Sequence, residues 1–209
     1  MGNMELGRKS SVKWPFFILV ATLFISACNG EGDYAPKPRG FYRINFPQRG
    51  YQEYVSGNPF TFEYPTYAKM ERDTQSRPAG KLLNMQTLLN MQFPQFNATL
   101  HLSYETIPNK KIFNELVEDA HKFAFKHTVK ATSIDEGVIH YPDRKVYGIY
   151  YTIDGNAASS VQFFLTDSVK NYLRGALYFN SEPRLDSIQP VLNFVKQDMD
   201  MMIKSFKWK

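Results

Sequence analysis

Lys145-Val146-Tyr147-Gly148-Ile149-Tyr150-Tyr151-Thr152-Ile153 runs into Asp154-Gly155-Asn156, and the chain continues as Ala158-Ser159-Ser160-Val161-Gln162-Phe163-Phe164-Leu165-Thr166. β-Branched and aromatic residues fill both runs, the composition of strands packed on a pleated surface. The residues between them favour a tight reversal, because glycine accepts positive φ at little cost. The pair predicts an antiparallel hairpin. Outward from it, Ser133 to His140 and Tyr172 to Phe179 read as two further strands, with Pro142 and Asp143 marking the turn before the hairpin. Joins this short imply antiparallel neighbours. Tyr147, Tyr150 and Tyr151 invite reading as an aromatic binding platform, although packing is the commoner use of aromatics in strands.

Two helices flank this block. Asn109 is a capping residue for a helix running to about Thr128, with Ile112, Phe113, Leu116, Val117, Ala120, Phe123 and Ala124 on one stripe. On the same helix, Glu115 and Asp119 with His121 and His127 raise a metal reading. Histidines six positions apart point about 120° away from a shared face, so a solvated helical face is favoured. Ser187 is expected to cap the last helix, placing Pro190 in its first turn where no donor is lost. Ile188, Val191, Leu192, Val195, Met199, Met202 and Ile203 form its apolar stripe, and Lys204, Lys207 and Lys209 are expected to complement its C-terminal dipole.

Towards the N-terminus the period falls to two. Phe41 to Phe46, Phe60 to Tyr64 and Ala68 to Arg72 read as short strands, with a polar loop from Asp73 to Gly80. Leu82 to Thr87 and Leu88 to Phe93 are a tandem hexapeptide. Six is even, so either copy fits one strand position with the same side chains inward, and one copy is expected in the sheet. After Pro94, Ala98 to Glu105 reads as a strand with Leu100, Leu102 and Tyr104 on one face.

Trp14 to Ile25 is an apolar run too short to span a bilayer, preceded by Arg8, Lys9 and Lys13. It ends in Ile25-Ser26-Ala27-Cys28, a lipobox, which predicts removal of residues 1–27 and attachment of diacylglycerol and an N-acyl chain to the thiol of Cys28. Residues 28–40 read as the lipidated cysteine and a proline-containing tether, and residues 41–209 as one globular domain. Loss of Arg8, Lys9, Lys13 and Glu5 with the leader leaves 22 basic and 19 acidic residues, a net of +3. That balance gives no footing for nucleic acid. With Cys28 lipidated no thiol remains for a disulfide, so packing must supply the stability. The interrupted acids Glu31 and Asp33 favour an outer-membrane anchor facing the periplasm over the cell surface. Lys37, Arg39 and Arg43 are candidate contacts for lipid headgroups or an acidic partner.

The sequence carries no phosphate loop, nucleophile elbow, HExxH helix or Cys-His cluster, and no cofactor beyond the covalent lipid or metal site is expected. Pro36 to Pro47, Phe93-Pro94-Gln95-Phe96-Asn97-Ala98, Leu102-Ser103-Tyr104, Glu118-Asp119-Ala120-His121 and Phe206-Lys207-Trp208-Lys209 closely resemble the gliding-motility lipoprotein GldD family of Bacteroidota. The doubled Leu-Leu-Asn-Met-Gln departs from the single copy of that family. The resemblance implies a non-catalytic envelope lipoprotein, an accessory or assembly factor for gliding and the associated type IX secretion machinery, with other gliding and secretion lipoproteins or envelope proteins as partners. The alternative is a periplasmic enzyme or ligand-binding module acting on glycan or lipid, which requires a concave pocket with convergent polar groups and shifted carboxylates. Phe60 to Pro65 and Ile203 to Phe206 also resemble segments of PsbP/Mog1-like domains. Both readings agree on an α+β fold, an antiparallel sheet of about six to eight strands with helices packed on it.

Overall fold

The structure is a computed structural model describing residues 43–73, 87–181 and 184–209. In chain order it contains β1 (Tyr51–Tyr54), β2 (Phe60–Pro65), β3 (Lys69–Arg72), β4 (Thr87–Phe93), β5 (Ala98–Thr106), α1 (Lys110–Phe125), β6 (Ala131–Tyr141), β7 (Val146–Gly155), β8 (Ser159–Thr166), β9 (Asn171–Phe179), α2 (Leu185–Ser205) and β10 (Lys207–Trp208). All pairings are antiparallel. A large sheet has the order β3-β4-β5-β9-β8-β7-β6, and a small one β1-β2-β10. The expected α+β architecture is what the chain adopts.

The expected antiparallel hairpin forms, but its turn comes later than the sequence places it: Asp154 and Gly155 remain in β7, paired to β6, and residues 156–158 make the connection. Gly155 takes φ 100°, a conformation that strains any side chain, and closes the β7 end against β6. Gly175 on β9 lies opposite Phe163 on β8, and a Cβ there would meet the Phe163 ring at 2.3 Å. The missing side chain is what lets that ring lie flat across the sheet.

Period-two alternation divides the large sheet into two unlike faces. Met91, Phe93, Leu100, Leu102, Phe163, Leu165, Leu173 and Leu177 point to one side, where they meet Leu192, Val195, Met199 and Met202 of α2 together with Phe60 and Phe62 of the small sheet. Phe206 stacks on Phe60 and Phe62 at 5.8 and 6.2 Å, and Trp208 meets Phe206 edge-on at 4.7 Å. Each of these buried rings contributes roughly 1.5–3 kcal/mol through lost contact with water. On the opposite face α1 buries Leu116, Ala120 and Ala124 against Tyr151, Ile153, Phe164 and Tyr172. Helices therefore cover both faces, each through the stripe its sequence predicts. Asn109 caps α1 as expected, its Oδ1 accepting from the Ile112 N–H at 3.0 Å, and the helix ends at Phe125, three residues short of the predicted stop.

Four local expectations are corrected. Residues 43–46 pair with no strand: Pro47 lacks the N–H a ladder needs, and Phe46 instead stacks on Phe194 of α2 at 4.5 Å. Residues 41 and 42 of that predicted strand lie outside the described residues. Ser187 is not a cap, because α2 starts at Leu185 and the Ser187 N–H already bonds back to Arg184 O at 3.0 Å. Pro190 thus falls inside the helix and removes one internal donor. Lys204 does occupy the last turn of α2. Lys207 and Lys209 belong instead to the small sheet: Lys207 pairs with Thr61, and Lys209 Nζ donates to Ser56 O at 2.9 Å. The end of α2 is met by Arg144, whose Nη1 donates to Lys204 O and, at 3.5 Å, to Phe206 O. Of the tandem hexapeptide, the second copy forms β4, and all of the first except Thr87 lies outside the described residues.

Candidate interaction surfaces

Ile25, Ser26, Ala27 and Cys28, with Lys37 and Arg39, lie outside the described residues. Arg43 is the first described residue and is exposed. Beyond it the chain is stapled to α2. The Arg49 guanidinium lies 4.2 Å over the Phe194 ring, donates to Gln197 Oε1 and to Phe194 O at 3.1 Å, and stands 3.5 Å from Asp198 Oδ1. Asp198 is 1% exposed and also accepts from Tyr51 Oη at 2.8 Å and from Tyr67 Oη. Burial, reinforced by the bonds to this carboxylate, pushes the Tyr51 hydroxyl up to about 12 and raises Tyr67 further. A buried charge with three partners is a structural device, since removing them would leave it uncompensated. No local pattern shows it: Asp198 sits in an amphipathic helix and its donors come from the far end of the chain.

On the other face, α1 and the sheet part to leave a groove of about 560 Å³. Phe113, Val117 and His121 of α1 form one wall, and Tyr147, Gly148 and Phe164 form the floor. Gly148 is needed there because a Cβ would lie 1.8 Å from Phe164 O, so the two strands approach closely beneath the groove. His121 stacks on Phe125 at 4.1 Å and places Nε2 3.6 Å from Glu136 Oε1. Glu118 at the rim is held by Lys122 at 3.0 Å. The lining is mainly apolar.

The three strand tyrosines do not make one platform. Tyr150 points towards α2 and stacks on Phe163 at 6.4 Å, while Tyr151 is buried against α1 and Tyr147 lines the groove. Burial, with Glu136 nearby, pushes the Tyr151 hydroxyl up to about 12. His121 and His127 also stay apart in role. Burial, followed by the charges of Arg174 and Lys126, lowers His127. Glu115 lies 3.9 Å from Lys111. Among the described residues no group of three His, Cys, Asp or Glu side chains could hold a metal ion.

One shifted carboxylate escaped the sequence. Glu105 is 5% exposed on the α1 side of β5, opposite Tyr172, and desolvation with Asp119 nearby pushes its carboxyl up to about 7. Tyr172 donates from Oη to Leu116 O at 3.1 Å, and Arg174 donates to Gln162 Oε1 at 2.7 Å while lying 4.5 Å over Phe123. A strand position alternating away from Leu100, Leu102 and Tyr104 reads as solvent-facing until α1 is known to cover it. Glu105 is not among the residues lining the groove.

The fold and surfaces define a layered α+β domain whose buried carboxylates lie away from its concave surface. A family model described as gliding motility lipoprotein GldD matches residues 31–208, and the chain belongs to that family. No curated protein and no solved structure matches the chain. Among the described residues no helix is long and apolar enough to cross a membrane.

Proposed function

We propose that this motility lipoprotein is a non-catalytic accessory or assembly factor for gliding and for the associated type IX secretion machinery. In this reading a diacylglycerol and an N-acyl chain on Cys28 hold it on the outer membrane, facing the periplasm, and it docks on other gliding and secretion lipoproteins or envelope proteins. The observation that carries the reading is the family match over residues 31–208. The geometry supports its non-catalytic half: acid–base chemistry needs a shifted carboxylate within reach of a substrate, and Glu105 lies beneath α1 while the groove is mainly apolar. Lys37, Arg39 and Arg43 then serve as contacts to headgroups or to an acidic partner near the membrane.

The test is deletion in the source bacterium, followed by complementation with the wild type, with Cys28→Ala, and with Lys37, Arg39 and Arg43 all replaced by Gln. Deletion should abolish gliding and block secretion. The wild type should restore both and Cys28→Ala neither, with the triple variant intermediate. A deletion strain that secretes normally would refute the secretion role, and full rescue by Cys28→Ala would remove the anchor from the mechanism.

A further inference from the structure

The two edges of the large sheet are built on opposite rules. Edge strands are a liability because their outward N–H and C=O groups template pairing with other chains, and proteins blunt them by shortening them and adding charge. β3 obeys: it has four residues, of which Lys69, Glu71 and Arg72 are exposed. β6 does not. It is the longest strand in the sheet, 11 residues, and among the described residues its only neighbour is β7. At its centre Val138 is 83% exposed, on the same face as Ile149, its partner across the ladder.

The other face of β6 carries a second observation. Between β6 and α2 lies a hollow of about 290 Å³, lined by Gly137, Tyr141, Tyr150, Asp200 and Lys204 among others. It opens at mid-strand because Gly137, opposite Tyr150, has no side chain to fill it. Tyr150 Oη is buried there with no hydrogen-bond partner, and a buried hydroxyl without one costs roughly 1–3 kcal/mol. Burial, and after it the nearby exposed Asp200 carboxylate, raises the Tyr150 hydroxyl. Asp200 only accepts and Tyr150 Oη can accept as well, so a donor-only side chain, Lys or Arg, can bond to both, with the exposed Lys204 of the same hollow as its competitor. Asp135 and Glu136, exposed on successive positions of β6, give both faces of the edge an acid.

We propose that β6 is a docking edge for an extended segment of a partner protein, a strand alternating apolar and basic residues whose central basic side chain enters the hollow beside Gly137. Main-chain bonds to β6 supply the pairing, the exposed Val138 takes the apolar side chains, and Asp200 with Tyr150 selects the charge. A second copy of this chain fits less well, because pairing β6 with itself about Glu136 sets that acid against its own copy. The inference rests on the accessory reading for its biological setting, but the test below reads the edge alone and leaves gliding and secretion to the complementation experiment.

The mature lipidated protein, residues 28–209, in detergent micelles is titrated with a labelled nonapeptide, Thr-Val-Lys-Val-Lys-Val-Lys-Val-Thr, and binding is followed by anisotropy and by amide hydrogen exchange. Binding should slow exchange along β6. Val138→Lys should weaken it at least tenfold, and so should Gly137→Val, which fills the hollow with a strand-compatible side chain and leaves the unfolding midpoint within a few degrees of wild type. No binding, equal binding of the peptide with Glu in place of Lys, or protection at β3 in place of β6 would each overturn the proposal. A dimer that Val138→Lys dissolves, without peptide binding, would overturn it in favour of self-pairing.

Discussion

Among the described residues the two faces of the large sheet each bury one carboxylate, and they treat it in opposite ways. On the α2 side Asp198 accepts from two tyrosines beside a guanidinium, so burial and partnership arrive together. On the α1 side Glu105 is desolvated beside another acid, Asp119, and holds its proton to about pH 7. Around Asp198 the α2 side is closed by a helix, a second sheet and stacked rings, with its hollow set apart at the β6 edge, whereas α1 covers its face only in part and leaves the groove. Tight packing can enclose a charge because it also fixes the donors. A single amphipathic helix excludes water without supplying them.

The largest expected effect tests the partnered charge. Asp198→Ala removes the acceptor of Tyr51 and Tyr67 and the counterion of Arg49, and should cost about 3–5 kcal/mol in denaturant unfolding. A loss under 1 kcal/mol would mean the network is ornamental. The second prediction concerns Glu105 and has the opposite sign. Its folded-state pKa stands above the unfolded value, so the native state binds the extra proton. Stability therefore falls as pH rises from about 4.5 through about 7, and the penalty persists above that. Glu105→Gln should flatten this slope and gain roughly 2 kcal/mol at pH 8. An unchanged pH profile would show that water reaches the carboxyl. The smallest effect lies in the groove wall. Phe113 is only half-buried, so Phe113→Ala should cost about 1 kcal/mol, well below the 3–5 kcal/mol typical of a core phenylalanine such as Phe60. Equal losses at the two positions would erase the contrast between the faces.

What the sequence disclosed follows the range of the interactions involved. The pairing of β7 with β8, the Asn109 cap and both helical stripes are local patterns, and they stand where the sequence puts them, although the hairpin turn falls at residues 156–158 because Asp154 and Gly155 stay paired to β6. Ser187 misled because a good capping residue is also an ordinary first-turn residue. Tyr51–Tyr54 went unread because its half-buried side chains answer to β2, with no alternation of their own. The groove was illegible for a related reason: Phe113, Tyr147 and Phe164 share no spacing and meet only through the layering of three elements. Glu105 and Asp198 were hidden likewise, one by a helix laid over it and the other by donors more than a hundred residues away.

The closure of the small sheet has a bearing on the order in which the chain folds. β2 lies between β1, its neighbour in sequence, and β10, which pairs Lys207 and Trp208 with Thr61 and Phe60. Phe206 just before it completes the ring stack on Phe60 and Phe62. β1 and β2 thus wait for a segment 142 residues further along, as measured from Glu63 to Ser205, before their core can close. Closing so long a loop costs entropy before its own contacts are made, so the small sheet closes later than the hairpin-linked ladders of the large one. A chain still leaving the ribosome exposes Phe60 and Phe62 for the whole of that interval.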